Sequence, residues 1–135
     1  MEHVQAVITL PEGPWWDWDV VAWERGRLRL GAGYDLTYHH GLELVFGDVL
    51  FVSCPDSFQE PRFRAPTPDE LRTVDRYCGH APVVVAFDAE SDGPDPLPCL
   101  IAAHSVDIVQ GIVLRYWRDD AAPGRRFAPW VRRPE

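Results

Sequence analysis

The chain sets two histidines side by side, His39-His40, and scatters His104 and three cysteines (Cys54, Cys78, Cys99) through the rest of its length. Imidazole and thiolate are the donors of a zinc-type centre, so these residues are the first candidates for metal chemistry. Neighbouring side chains of an extended strand face opposite ways, so one ion cannot readily take both His39 and His40. His40 would have to meet His104 or a cysteine from another strand, and the HxH spacing of metal-binding sheets is missing. One hydrogen-bonded histidine at the core edge and one on the surface is the plainer expectation, with no metal. A second grouping, Asp88-Ala89-Glu90-Ser91-Asp92-Gly93, opens like a calcium loop, where alternate carboxylates and a glycine let the chain wrap a hard cation. The pattern then fails. Cys99 stands where the bidentate acid belongs, and Pro94 and Pro96 stiffen the turn. A solvated acidic loop is expected. A nucleophilic cysteine needs a base beside its thiolate, and none of the three has a local signature for one. No catalytic residue and no cofactor is assigned.

The most suggestive grouping is Trp15, Trp16, Trp18 and Trp23 around Asp17 and Asp19. Aromatic rings beside acids make a desolvated anchor for a cationic partner, because tryptophan and tyrosine dominate interface energetics. The competing expectation is that two or three of these tryptophans are core. The candidate binding residues are Trp15, Asp17, Asp19 and Trp23, then Tyr38, His40 and Glu43, then Asp88, Glu90 and Asp92 of the acidic loop. Paired carboxylates for glycoside chemistry could be drawn from Asp17, Asp19, Asp35 and Glu43, but spacing alone leaves their separation open.

Composition excludes more than it assigns. All thirteen Lys+Arg cations are arginine, and asparagine is missing too. Without lysine there is no Walker-type phosphate loop, pyridoxal Schiff base or kinase lysine. A formal net charge of −8 disfavours nucleic acid as a partner. From Pro123 to Glu135 four arginines face one acid, which leaves the preceding body at about −11 and suited to a basic protein partner. The start lacks the basic and apolar runs of a secretory signal, and no stretch approaches a membrane span. Three widely spaced cysteines without CxxC read as reduced thiols, so a cytoplasmic location is expected.

Positioning falls mainly to strands. At 135 residues one domain is expected over 1–122, with 123–135 as an arginine-rich arm that Phe127 and Trp130 could dock. Strands are expected at Val4–Leu10, Trp15–Trp23 and Arg27–Gly31, where Leu28 and Leu30 oppose Arg27 and Arg29. The clearest alternation puts Leu36, Tyr38, His40, Leu42, Leu44 and Phe46 on a core face and Asp35, Thr37, His39, Gly41, Glu43 and Val45 towards water. Gly47-Asp48 reads as a hairpin turn into Val49–Ser53. Residues 55–66 read as irregular, anchored by Phe58 and Phe63. Thr67-Pro68-Asp69-Glu70 is a capping box that starts a helix over 67–79, stopped by Gly79. Val83–Phe87 is a buried strand. Cys99–Val109 and Ile112–Trp117 are two strands hinged at Gln110-Gly111; a helix over 105–117 competes, but β-branching and Gly111 oppose it. The fold class is mainly β (α+β): an antiparallel meander forming a sandwich or partly open barrel with one short helix.

Within that frame, the stretch Tyr34-Asp35-Leu36-Thr37-Tyr38-His39-His40-Gly41-Leu42-Glu43-Leu44-Val45-Phe46 resembles a strand pattern of small uncharacterised bacterial proteins, some assigned as immunity proteins of polymorphic toxin systems. The strands at Ile101–Val106 and Val113–Trp117 are similar in character. The resemblance covers a third to a half of the chain, carries no catalytic motif and transfers no residue roles. It implies a cytoplasmic binder that neutralises a toxin. The first expectation is thus a non-catalytic acidic protein-binding domain. The alternatives are a small β-barrel enzyme or ligand carrier with a pocket near Tyr38 and His40, and a subunit that homodimerises through exposed tryptophans.

Overall fold

A computed structural model describes residues 4, 5 and 7–135, with side chains from Val7 onwards. The elements are β1 (Val4–Gln5), β2 (Asp17–Glu24), β3 (Arg27–Gly33), β4 (His39–Ser53), β5 (Ser57–Gln59), β6 (Arg62–Arg64), α1 (Pro68–Cys78), β7 (Val83–Ala89), β8 (Leu97–Leu114) and β9 (Arg126–Phe127). The protein is mostly antiparallel β, 49% strand, in one curled half-barrel sheet with a single helix. Of the strand expected over 4–10, residue 6 and the first side chains lie outside the described residues. β1 pairs parallel with β7, and residues 7–10 are irregular.

The sheet runs β1-β7-β8-β4-β3-β2-β5, with β6 on β7 and β9 on β8. Its concave side is the main core. Alternation delivers Trp18 from β2, Leu28 and Leu30 from β3, and Leu42, Leu44 and Phe46 from β4 to that side. Residues 57–64, expected to be irregular, form two short strands. β5 pairs with the edge of β2 and β6 with the edge of β7, so this segment spans the open seam of the half-barrel. Phe58 and Phe63 anchor it, as expected. Phe58 stacks on Trp18 at 5.8 Å, and both phenylalanines meet Phe87 at 5.1 Å.

Two expected breaks are absent. Gly47-Asp48 is no hairpin: β4 runs unbroken for fifteen residues. Asp48 takes φ 48 beside a register shift between Val49 and Phe51, and the Val49 N–H donates to the Gly26 carbonyl at 2.8 Å. Likewise β8 is one strand of eighteen residues, not two, and Gly111 lies at its bulge. Each strand is carried through its bulge by the other, because their pairing continues on both sides of each bulge. The helix alternative for 105–117 is excluded with it.

The alternation from Leu36 to Phe46 is also corrected. Residues 35–38 form a turn, in which the Asp35 carboxylate accepts from the Thr37 N–H at 2.9 Å and its hydroxyl at 2.6 Å. Tyr38 therefore sits on a turn, 61% exposed, rather than on a core face. The strand starts at His39, and a register shift between His40 and Leu42 turns His40 towards Glu43. The face expected to meet water is buried as well: Gly41, Glu43 and Val45 are all covered.

The helix is as expected. Thr67 accepts from the Glu70 N–H, the Glu70 carboxylate accepts from the Thr67 N–H, and Gly79 closes the last turn at φ 71. It packs Val74 on Val84, Ala86, Leu100 and Ala102, the convex side of β7 and β8. The C-terminal arm covers the convex side at the other end of β8. β9 pairs parallel with Val113 and Leu114, the Ala128 N–H donates to the Leu114 carbonyl, and Phe127 stacks on Trp117 at 4.7 Å. Among the described residues no helix is long and apolar enough to cross a membrane.

Candidate functional site

Beneath the arm, on the convex face, polar side chains from β2, β3, β4 and the segment after β8 close on one another. Asp19 of β2 accepts a bidentate pair of bonds from Arg115 Nη1 and Nη2, both at 2.7 Å. Arg115 Nε donates to His40 Nδ1 at 3.0 Å, and His40 Nε2 lies 2.7 Å from Glu43 Oε2. Arg29 of β3 donates to both Glu43 oxygens, and Arg126 of β9 adds a longer contact at 3.4 Å. Trp130 lies over the Arg115 guanidinium, 5.3 Å from ring centroid to carbon. His40 is 0% exposed, Glu43 1% and the Arg115 side chain 6%.

The geometry assigns the histidine tautomer. Arginine Nε–H only donates, so Nδ1 must be the acceptor, and Nε2–H donates to Glu43. Burial alone would raise the Glu43 carboxyl. Hydrogen bonds from His40 and Arg29, with the charge of Arg29, outweigh that and hold it at about 2. Every buried side-chain nitrogen and oxygen among the described residues has a partner. Both ring nitrogens of His40 are occupied, and neither faces solvent. The cluster ties β2, β3, β4 and the segment after β8 together through hydrogen bonds and ion pairs.

Trp15, Asp19, His40 and Glu43, expected at a binding surface, thus lie in or against the interior. Trp15 packs against the core, donates its indole N–H to the Pro11 carbonyl at 2.7 Å, and sits over Gly41, where a Cβ would come within 3.0 Å of the ring. Trp23 is exposed at the far end of β2. Tyr38 meets Tyr116 edge-on at 5.6 Å in a shallow groove with His39, Ile112 and Arg118, on the surface and away from His40's buried ring. His104 is exposed and lies far along β8 from Val113, the partner of His40. Among the described residues no three His, Cys, Asp or Glu side chains form a metal-binding group. Burial pushes the Cys54 and Cys99 thiols up to about 11, which leaves them poor nucleophiles near neutrality.

The acidic loop divides. Asp88 belongs to β7 and is bound by Arg64, whose guanidinium also clamps Glu70 at 2.7 Å and so ties β6, β7 and α1 together. Glu90 and Asp92 are exposed, and the fold brings them to Asp17. All three line a groove of about 450 Å3 at the seam, together with Ser57, Phe58 and Gln59. The Glu90 N–H donates to the Gln59 carbonyl at 3.0 Å, and the Glu60 N–H to the Trp16 carbonyl at 2.8 Å, which fixes loop and strand edge together. Trp16, which precedes Asp17 in the chain, is 47% exposed.

Sequence reasoning missed Arg29, Arg115 and Arg126 as partners of His40 and Glu43, and Trp130 as the ring over Arg115. One clue was present: Arg115 follows Ile112, Val113 and Leu114, where an isolated charge in an apolar run calls for a buried partner. Compared with family models, curated proteins and solved structures, the chain finds no match.

Proposed function

We propose that this protein is a non-catalytic binding domain that seats a cationic segment of a partner protein on the acidic seam of its half-barrel. The observation that carries this reading is the convergence of Asp17 with Glu90 and Asp92, from segments far apart in sequence, in one groove whose lining contains no cation. Exposed Trp16, which precedes Asp17 in the chain, supplies an aromatic surface. The overall charge of −8 would steer a basic partner towards the domain. Saturation of the buried cluster supports a binder over an enzyme, because His40, its natural acid–base residue, has both nitrogens engaged. Inhibition of a toxin by covering a basic surface is the form of such binding that the strand resemblance implies.

The reading is tested with an oligoarginine peptide as probe and Trp16 emission as readout, W16F giving the background from the other tryptophans. Saturable binding should weaken by about tenfold or more between low and high salt, because exposed charge pairs are screened. The triple change D17N/E90Q/D92N should abolish it without lowering thermal stability, since among the described residues these carboxylates hold no ion pair. Equal binding by the triple variant would overturn the assignment of the seam.

A further inference from the structure

A second recess lies on the convex face, between the β2–β3 hairpin and the arm, and it has the opposite charge. Arg25, Arg27 and Arg29 from the hairpin and Arg126 from β9 line a cleft of about 760 Å3. Its acids are Glu24 and Glu43 alone, so this cleft carries an excess of positive charge on a chain whose total is −8. Glu43 forms the floor and splays two of the guanidiniums. Arg29 spends Nε and Nη2 on it and keeps Nη1; Arg126 touches it through Nη1 and keeps Nε and Nη2. Among the described residues the side chains of Arg25 and Arg27 have no hydrogen-bond or ion-pair partner.

Arg25 adds an independent sign. It takes φ 52, followed by Gly26 at φ 74, the two-residue turn for which glycine, asparagine or aspartate is the ordinary first residue. A long cation there is strained, and among the described residues its side chain gives no hydrogen bond or ion pair in return. The other walls are apolar: Val45, Val109 and Phe127, the last held flat by its stack on Trp117. The volume is that of a small-molecule site.

We propose that this cleft binds a small organic oxyanion, a carboxylate or phosphate carried on an apolar body, through Arg25, Arg27 and the free N–H groups of Arg29 and Arg126. Guanidinium forks match such oxyanions in pairs, and the valine and phenylalanine walls take the remainder of the molecule. The net negative charge of the whole protein opposes loose anion binding, so binding here depends on the local array. This site is independent of the acidic seam.

Calorimetry on the full chain at low ionic strength tests it, with inorganic pyrophosphate and citrate as the two probes. Saturable binding of at least one is expected, and the tighter probe identifies the head group. R27A and R25G should each weaken it by about fivefold or more, the loss of one charge-assisted contact. R25G puts glycine where φ 52 favours it, so its melting temperature should hold or rise, and its loss of binding cannot come from misfolding. R72A, on the exposed face of α1, should bind as the unaltered protein does. Absence of saturable heat with both probes, full binding by R25G and R27A, or an equal loss in R72A would each overturn the proposal.

Discussion

Glu43 gathers His40, Arg29 and Arg126 around one buried carboxylate, and its protonation tells how much the cluster contributes. The folded value near 2 lies below the ordinary glutamate value of 4.5, so the carboxyl stabilises the fold fully above about pH 4.5. That contribution is lost as pH falls from about 4.5 through about 2, and by linkage it amounts to something on the order of 3 kcal/mol. Urea unfolding across this range should show the loss. Glu43→Gln should lower stability at pH 7 by about 3 kcal/mol, leaving Arg29 short of its counter-charge, and flatten the acid limb. An equally steep acid limb in the variant would remove Glu43 from that role. At this scale the sequence was legible in part. The Leu28/Leu30 against Arg27/Arg29 alternation gave the right faces, but nothing in it says that an arm from residue 126 comes back to cover the arginine side. Periodicity reports which way a side chain points and is silent about what lies over it.

The elements differ in how local their instructions are. The helix was readable to the residue because Thr67, Glu70 and Gly79 act on backbone within one turn of themselves. Gly47-Asp48 and Gln110-Gly111 were misread as breaks because bulges and turns use the same residues, and only the partner strand decides between them. β5 and β6 were invisible for the same reason, being three-residue strands that exist only against the edges of β2 and β7. Close approach of β2 to β3 can be probed directly. A Cβ on Gly31 would stand 2.6 Å from Val21 Cγ2 and 3.1 Å from both the His40 ring and Arg115 Nη2. Gly31→Ala must therefore push either the strand or the cluster, and about 1–3 kcal/mol of destabilisation is expected in thermal or urea melts. A neutral result would mean that β2 yields freely at its bulge.

For the whole molecule, helix and arm cap the convex face at opposite ends of β8, while the 57–64 segment bridges the seam. The half-barrel and its single helix were legible from strand alternation and one capping box; the seam groove, which joins Asp17 to Glu90 and Asp92, depends on closure and was not. Removing residues 123–135 should strip Arg126 from Glu43 and Trp130 from Arg115 and leave Val113 and Leu114 paired with β4 alone. A drop of about 2 kcal/mol or more in urea unfolding is expected, with amide exchange accelerated along the end of β8. Unchanged exchange there would show the arm to be dispensable. The long pairing of β4 with β8 also has a bearing on synthesis. Ser53 leaves the ribosome well before its partner Leu100, with residues 54–99 made in between. At ordinary elongation rates that interval is roughly 2–9 s. Throughout it residues 39–53, rich in leucine, valine and phenylalanine, lack the strand that flanks them in the fold. The protein becomes safe from its own stickiness only when β8 has arrived.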